Sequence, residues 1–412
     1  MKRLFCLFLA LLLAGCAPAS STAPGSESAP AAEEAGALVM ANEAVNGTGY
    51  FAYYYDPAHY EAGTRLVRWD FSDRTMHFAC AVPDCDHTGE ACEAQLSGYP
   101  ITVLADAVYT LERGADDTAY SLYVREADGT HPAPVGTTGY WFFCGADEKY
   151  LYGFCDGAFG RVSRTDGTET YLAHGLQEDF SDYGRILGVW QDRFVAANWD
   201  IDKEQPARIC FLDRDGNVTE AAQVEANHFS DYSCVLIGSE VFYLDIPTGD
   251  VMAVNADTGE TRTVTQALRP YNALEAENFY KCQRWYLQKV QDRALVRVVD
   301  VTGSTMENTV YRVNEDGTVT ELPQRQELRG FDPEQDGDSY VYYATSSRPD
   351  PVVLLGEWND QLVVLRAFEF FSYEGPDGPA RTTRDVYALT DAADYLAGKE
   401  NYREFSLPEG EV

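Results

Sequence analysis

Apolar residues recur along this chain in short runs that alternate with polar turns, a pattern that predicts strands and hairpins. One arrangement repeats. A strand of β-branched or aromatic residues reaches a two-residue turn of Asp, Gly or Asn, and a second strand continues. It occurs at residues 141–154, 186–197, 235–245 and 353–365, and again at 107–112 after Ala105-Asp106. Most copies lead into a second hairpin with a marked turn, at Gly129, Gly167, Gly216, Gly259 and Gly317. Asp-Gly between alternating apolar residues is a strong hairpin signal, because both turn residues tolerate positive φ. These glycines are 38, 49, 43 and 58 residues apart. Two hairpins per about 40–50 residues is the four-stranded blade of a β-propeller. Residues 65–80 and 385–407 read as the outer hairpins of an opening and a closing copy.

The pattern therefore predicts an all-β domain over residues 38–412, a β-propeller of about seven four-stranded blades. Six or eight blades also accommodate the spacing, and residues 339–347 form a strand without a place in the count. A pair of β-sandwiches would share the short strands but not the period. Only residues 392–399 read as a helical turn.

The N-terminus breaks the pattern. Lys2 and Arg3 precede an apolar run at residues 4–13, and Leu13-Ala14-Gly15-Cys16 places small residues before a cysteine. The run is too short to span a bilayer, so residues 1–15 read as a lipoprotein signal peptide and Cys16 as the lipid attachment site. Acyl chains on Cys16 would give the several lipid chains that stable anchoring needs. Residues 16–37 hold the lipidated cysteine and a flexible Ala/Ser/Pro tether without an aromatic residue. The expected location is the extracytoplasmic face of the cell membrane, with the lipid membrane as first partner.

Charge narrows the partners. The formal charge is −35, and losing Lys2 and Arg3 makes it −37. So acidic a chain is repelled by nucleic acid, which excludes that class of ligand. Of ten cysteines, Cys6 leaves with the signal and Cys16 is acylated. Cys144, Cys155, Cys210, Cys234 and Cys282 stand singly in apolar runs and read as small buried residues.

Cys80, Cys85, His87 and Cys92 cluster within a short loop after the first hairpin. Three thiolates and an imidazole can complete a tetrahedral zinc site, and four protein ligands would close it, making it structural. Cys85 and His87 are two apart and point the same way in an extended segment. A disulfide among the three cysteines is the rival reading for an extracytoplasmic protein. With the lipobox and tether, the motif C-x-x-P-x-C-x-H-x4-C at residues 80–92 resembles a group of propeller-like lipoproteins from anaerobic Gram-positive bacteria. The resemblance implies location and architecture, and brings no catalytic residue.

A further repeat lies just before the blades. Phe180-Ser-Asp182-Tyr183 recurs as Phe229-Ser-Asp231-Tyr232, and Tyr99 and Tyr140 take the equivalent place. Such residues would meet at the channel face as ligand-binding rings, or pack between blades as part of the repeat. G-x-S-x-G, H-E-x-x-H and phosphate-binding glycine loops are absent, and His59, His77, His131, His174 and His228 are scattered. Asp213 to Asn217 and residues 332–338 faintly resemble calcium loops without a full ligand set. The expectation is a non-enzymatic binding or scaffolding module with a protein or glycan partner. The alternative is a glycan- or peptide-processing hydrolase or lyase whose carboxylates meet at the channel.

Overall fold

The second strand of each repeat is apolar on both faces, so its sheet must be covered from two sides. In Arg193–Asn198, Phe194 and Ala196 join the core shared with the preceding sheet, while Val195 and Ala197 join the core shared with the following one. Seven sheets meet this demand by standing in a ring, as seen in a computed structural model of the chain. The structure describes residues 36–408 apart from 42–43, 55–62, 90, 97–100, 114–118, 156–157, 174–184, 199–205, 225–233, 246–247, 267, 269–280, 303–304, 337–348 and 376–377.

The blades span residues 45–96, 101–138, 142–173, 185–224, 234–265, 281–322 and 327–404. Each is built on four antiparallel strands in chain order, and the first strands of neighbouring blades lie beside one another, lining a channel. The protein is an all-β, seven-bladed β-propeller. Seven apolar clusters fill the seven seams, one between each pair of successive blades.

Close packing of the first strands is visible in three glycines. Gly145, Gly188 and Gly356 each sit at a register shift between the first and second strands of their blades. A Cβ there would come within 2.4 Å of Phe194, 2.6 Å of Leu236 and 2.3 Å of Val45, all on the next blade.

The marked turns occur where the sequence places them, with one correction. Only the glycine takes positive φ, from 71° to 85° at Gly129, Gly167, Gly216, Gly259 and Gly317. In blades 2, 4 and 6 the glycine N–H bonds three residues back, the type I turn with a bulge glycine. The aspartate serves instead as a cap: Asp128 and Asp316 accept the N–H of Thr130 and Thr318 at 3.0 Å. Asp213 likewise accepts from Asp215 and Asn217, so the calcium-like segment is a capped turn.

Four features lay outside the pattern. First, Val39–Met40 pairs with the inner edge of blade 3, at Ala146 and Gly145, inside the channel. Leu38 is anchored beside it by its N–H on Asp192 at 3.0 Å. Second, the last strand of blade 1 is split: Met76–Phe78 and Gln95–Leu96 both pair with Thr64–Asp70. The cysteine loop is thus an excursion from within a strand, not a plain connection between blades. Third, blade 7 carries a long hairpin, Gln361–Gly375 with Gly378–Asp391, and Glu327–Arg329 runs parallel to its first arm. Fourth, a short helix at Pro333–Asp336 joins the expected one at Ala392–Leu396. Asp336 in that second calcium-like segment is paired with Arg381 at 2.6 Å. The strand expected at 339–347 lies outside the described residues, as do residues 1–35 with Cys16.

Blades 1 and 7 meet without sharing a strand. Their seam holds Val45, Val67, Trp69 and Met76 against Val363, Leu389 and Phe405. Trp69 meets the rings of Tyr387 and Phe405 edge-on at 5.0 and 5.7 Å. Ser406 then crosses to blade 1, accepting from Met76 N–H at 2.9 Å and donating to Arg74 at 2.8 Å. Phe405→Ala should therefore cost about 3 kcal/mol by urea unfolding, whereas Phe142→Ala, at a side chain 57% exposed, should cost less than about 1 kcal/mol.

Candidate functional site

The channel opens into a cavity of about 1230 Å3. Its described walls come from blades 1, 2, 3, 4 and 7, and they are aromatic: Tyr50 and Tyr53, then Tyr140, Phe142 and Phe154, then Trp358 and Tyr387. Met40, from the N-terminal strand, forms part of the lining. Charged groups are few. Arg185 and Glu357 are the ones among the described lining residues.

Local sequence explains how Phe142 reaches the cavity. Trp141 and Phe143, two apart, stack at 6.1 Å with their planes 4° from parallel, and both belong to the seam with blade 2. Phe142 between them points the other way. Tyr140 packs at 4.9 Å on Tyr120 of blade 2 and at 5.0 Å on Phe142, so it both closes a seam and lines the cavity. Of the six residues expected to form a ligand-binding ring, Tyr140 is the one described. Tyr99, Asp182, Tyr183, Asp231 and Tyr232 lie outside the described residues. Arg185, which lines the cavity, follows Tyr183 by two positions.

Hydrogen bonds hold this wall in place. Glu169 accepts from Gly139 N–H at 2.5 Å and Trp141 Nε1 at 3.0 Å, and also from the Thr138 hydroxyl. Burial works against its charge, but these donors outweigh it and hold its carboxyl below the usual range. Elsewhere enclosure raises acidities' thresholds. Asp385 is exposed, yet desolvation by the protein around it pushes its carboxyl up. Tyr387 donates to it at 2.9 Å. Tyr50 is pushed up to about 12, by burial and then by the Asp385 charge, so it stays a neutral donor. Glu357 is also raised by burial, although it accepts the Gln291 N–H of blade 6 at 3.0 Å.

The second candidate is the thiol loop. Cys80, Cys85, His87 and Cys92 present ligand atoms that all lie within 4.8 Å of one another, and the three thiols are unpaired. His87 Nδ1 is 3.4 Å from Cys92 Sγ, and its ring stacks on Phe78 at 4.3 Å. Cys92 is pushed up to about 12, first by burial and then by its neighbour Cys80. Of the isolated cysteines, Cys155, Cys210 and Cys234 are buried as expected, and Cys144 is half-buried at the cavity wall.

The histidine spacing in the sequence offers His77 no partner, but the fold brings it to Asp70 and Asp73. All these groups are engaged within one turn. Asp70 accepts from Ser72 and Arg68 at 2.7 Å, Asp73 accepts from Thr75 at 2.8 Å, and His77 Nε2 lies 2.8 Å from its other oxygen. His131 lies 3.8 Å from Glu93, while His59, His174 and His228 are outside the described residues.

No family model matches the chain, and no curated protein matches it. Solved structures do. Puromycin hydrolase is similar over 90% of this chain and 54% of its own, with 12% identity and a TM-score of 0.44. The β-propeller domain of the Trilobed protease from Pyrococcus furiosus covers 88% of this chain and 98% of its own, at 8% identity and a TM-score of 0.40. Oligogalacturonate lyase in complex with manganese covers 87% and 84%, at 11% identity and a TM-score of 0.39. These likenesses concern architecture alone.

The Glu169 contacts yield a pH-dependent expectation. A carboxyl held low in the folded state stabilises the fold above its unfolded pKa, and that contribution fades as pH falls through the folded value. Glu169→Gln should cost about 1–2 kcal/mol at pH 7 by urea unfolding. The gap from the parent should shrink below about pH 4.3, where the unfolded carboxyl takes up its proton.

Proposed function

We propose that this protein is a lipid-anchored, extracytoplasmic binding module that takes its ligand in the propeller channel. The observation that carries the reading is the aromatic cavity. Its volume exceeds the about 300–1,000 Å3 of pockets for drug-sized ligands, so it has room for an extended ligand such as a short oligomer. Exposed rings such as Phe142 and Tyr53 offer flat faces for sugar rings or apolar side chains, and protonated phenols such as Tyr50 supply donors. With two charged lining residues and a strongly acidic chain, a neutral glycan fits better than a polyanion.

One observation favours the rival reading of a hydrolase or lyase. Glu357 lines the cavity and its carboxyl is raised by burial, as a general acid requires. Asp385, bonded to the lining Tyr387, is raised too but is exposed and is not among the described lining residues. Both come from blade 7, however, and Glu357 is occupied by the Gln291 turn. Two carboxylates from different blades do not meet among the described lining residues.

Arrays of neutral and acidic glycans and of peptides, probed with the full chain, test the reading. Phe142→Ala and Tyr53→Ala should each weaken capture of the bound class at least tenfold while leaving the unfolding midpoint in place. Unchanged capture by both variants would sink the channel as the site. Shortening of the captured chains on incubation, abolished by Asp385→Asn, would replace binding with catalysis.

The anchor is tested separately. Metabolic labelling with a fatty acid should mark the parent and not Cys16→Ala, and the variant should leave the membrane fraction. Label retained by the variant would remove Cys16 as the attachment site.

A further inference from the structure

The loop between Ala79 and Ala94 has an unusual neck. Ala79 N–H bonds to the carbonyl of Leu66 at 3.0 Å, and Leu66 N–H bonds to the carbonyl of Ala94 at 2.7 Å. Both ends thus close on one residue of the neighbouring strand, and the excursion leaves and re-enters the sheet at a single point. Between the two ends the side chains give it no core. Ala81, Val82, Pro83, Asp84, Asp86, Thr88 and Gly89 are exposed, and Cys92 is the buried one among the described residues between those ends. Asp84 and His87 hold φ of 55° and 56°, a conformation that persists only where surroundings over-determine it. Something other than apolar burial must set this shape.

We propose that the loop is clasped by one zinc ion, held by the sulfurs of Cys80, Cys85 and Cys92 and by Nδ1 of His87. Four ligand atoms converge on one point, whereas a disulfide would pair two sulfurs and leave the others aside. The His87 Nδ1 to Cys92 Sγ separation of 3.4 Å matches the ligand–ligand edge of about 3.5 Å that tetrahedral zinc requires with its usual sulfur and nitrogen bond lengths. The stack of its ring on Phe78 orients His87, as outer partners of metal ligands do. Four protein ligands leave no open position, so the ion has a structural role.

The clasp also reaches the next blade. Glu93 takes the Ala81 N–H on its carboxylate at 2.8 Å, and its carbonyl accepts from Arg125 of blade 2 at 2.7 Å. Arg125 is 2% exposed and bonds also to the Gly129 carbonyl at 3.2 Å. Zinc at the loop therefore fixes the outer end of the seam between blades 1 and 2.

Native mass spectrometry with elemental analysis of the full chain, purified without reductant or chelator, tests the assignment. One zinc per chain, released on denaturation, is expected. Cys85→Ser and His87→Asn should each lower zinc content at least tenfold, and Cys210→Ala, in a distant seam, should retain it. Should the first two variants fail to fold, the parent loaded with Co2+ decides: intense visible bands with sulfur-to-cobalt charge transfer support the site, and weak octahedral bands refute it. A metal-free parent, whether two hydrogens light with a disulfide at these cysteines or fully reduced, overturns the proposal. So does stoichiometric iron in place of zinc.

Discussion

Each sheet of this protein is apolar on both faces, and no sheet can satisfy both except by standing between two others. That constraint organises the rest. It makes the second strands read as unbroken apolar runs, divides consecutive residues such as Phe194 and Val195 between two different seams, and presses the first strands against the next blade until glycines are needed at Gly145, Gly188 and Gly356. A row of such sheets would still expose an apolar face at each end. Closing the ring removes both ends, so the contact of Trp69 and Met76 with Leu389 and Phe405 completes all seven seams at once.

The candidate sites follow from where that constraint relaxes. At the channel the first strands present an edge rather than a buried face, so Phe142 can stay exposed without weakening a seam, and Tyr53 is exposed near the end of the second strand of blade 1. At the outer edge of blade 1, Ser406 bridges the start of the split strand at Thr75 and Met76, and farther along, between Phe78 and Gln95, that strand releases a loop rich in thiols. The two sites call on different chemistry. The channel offers neutral rings and phenols, and the loop offers soft ligands.

Features decided by neighbours in the chain were legible in the sequence. Asp-Gly turns mark the outer hairpins because a bulge glycine and an aspartate cap are local needs, and their spacing carries the blade count. The cysteine cluster is equally local. Pairings between distant segments were not legible. Nothing in Val39-Met40 announces a partner at Gly145, and the return of Gln95-Leu96 to the strand left at Phe78 depends on Leu66. The aromatic wall had a readable trace in Trp141-Phe142-Phe143, since alternation sends the middle ring away from the other two. Tyr50, Trp358 and Tyr387 gave no such trace, because their meeting requires the closed ring.

The seam between the first and last blades joins Val45 and Trp69 to Phe405, so its two halves are made at opposite ends of synthesis. Until Leu389 and Phe405 leave the ribosome, blade 1 has no partner on one side and the channel has a gap in its wall. A chain of this design can build blades in order but can finish none of the ring early, and its first sheet spends the whole of translation waiting. Loss of the segment that carries Phe405 would therefore act on the first blade as much as on the last.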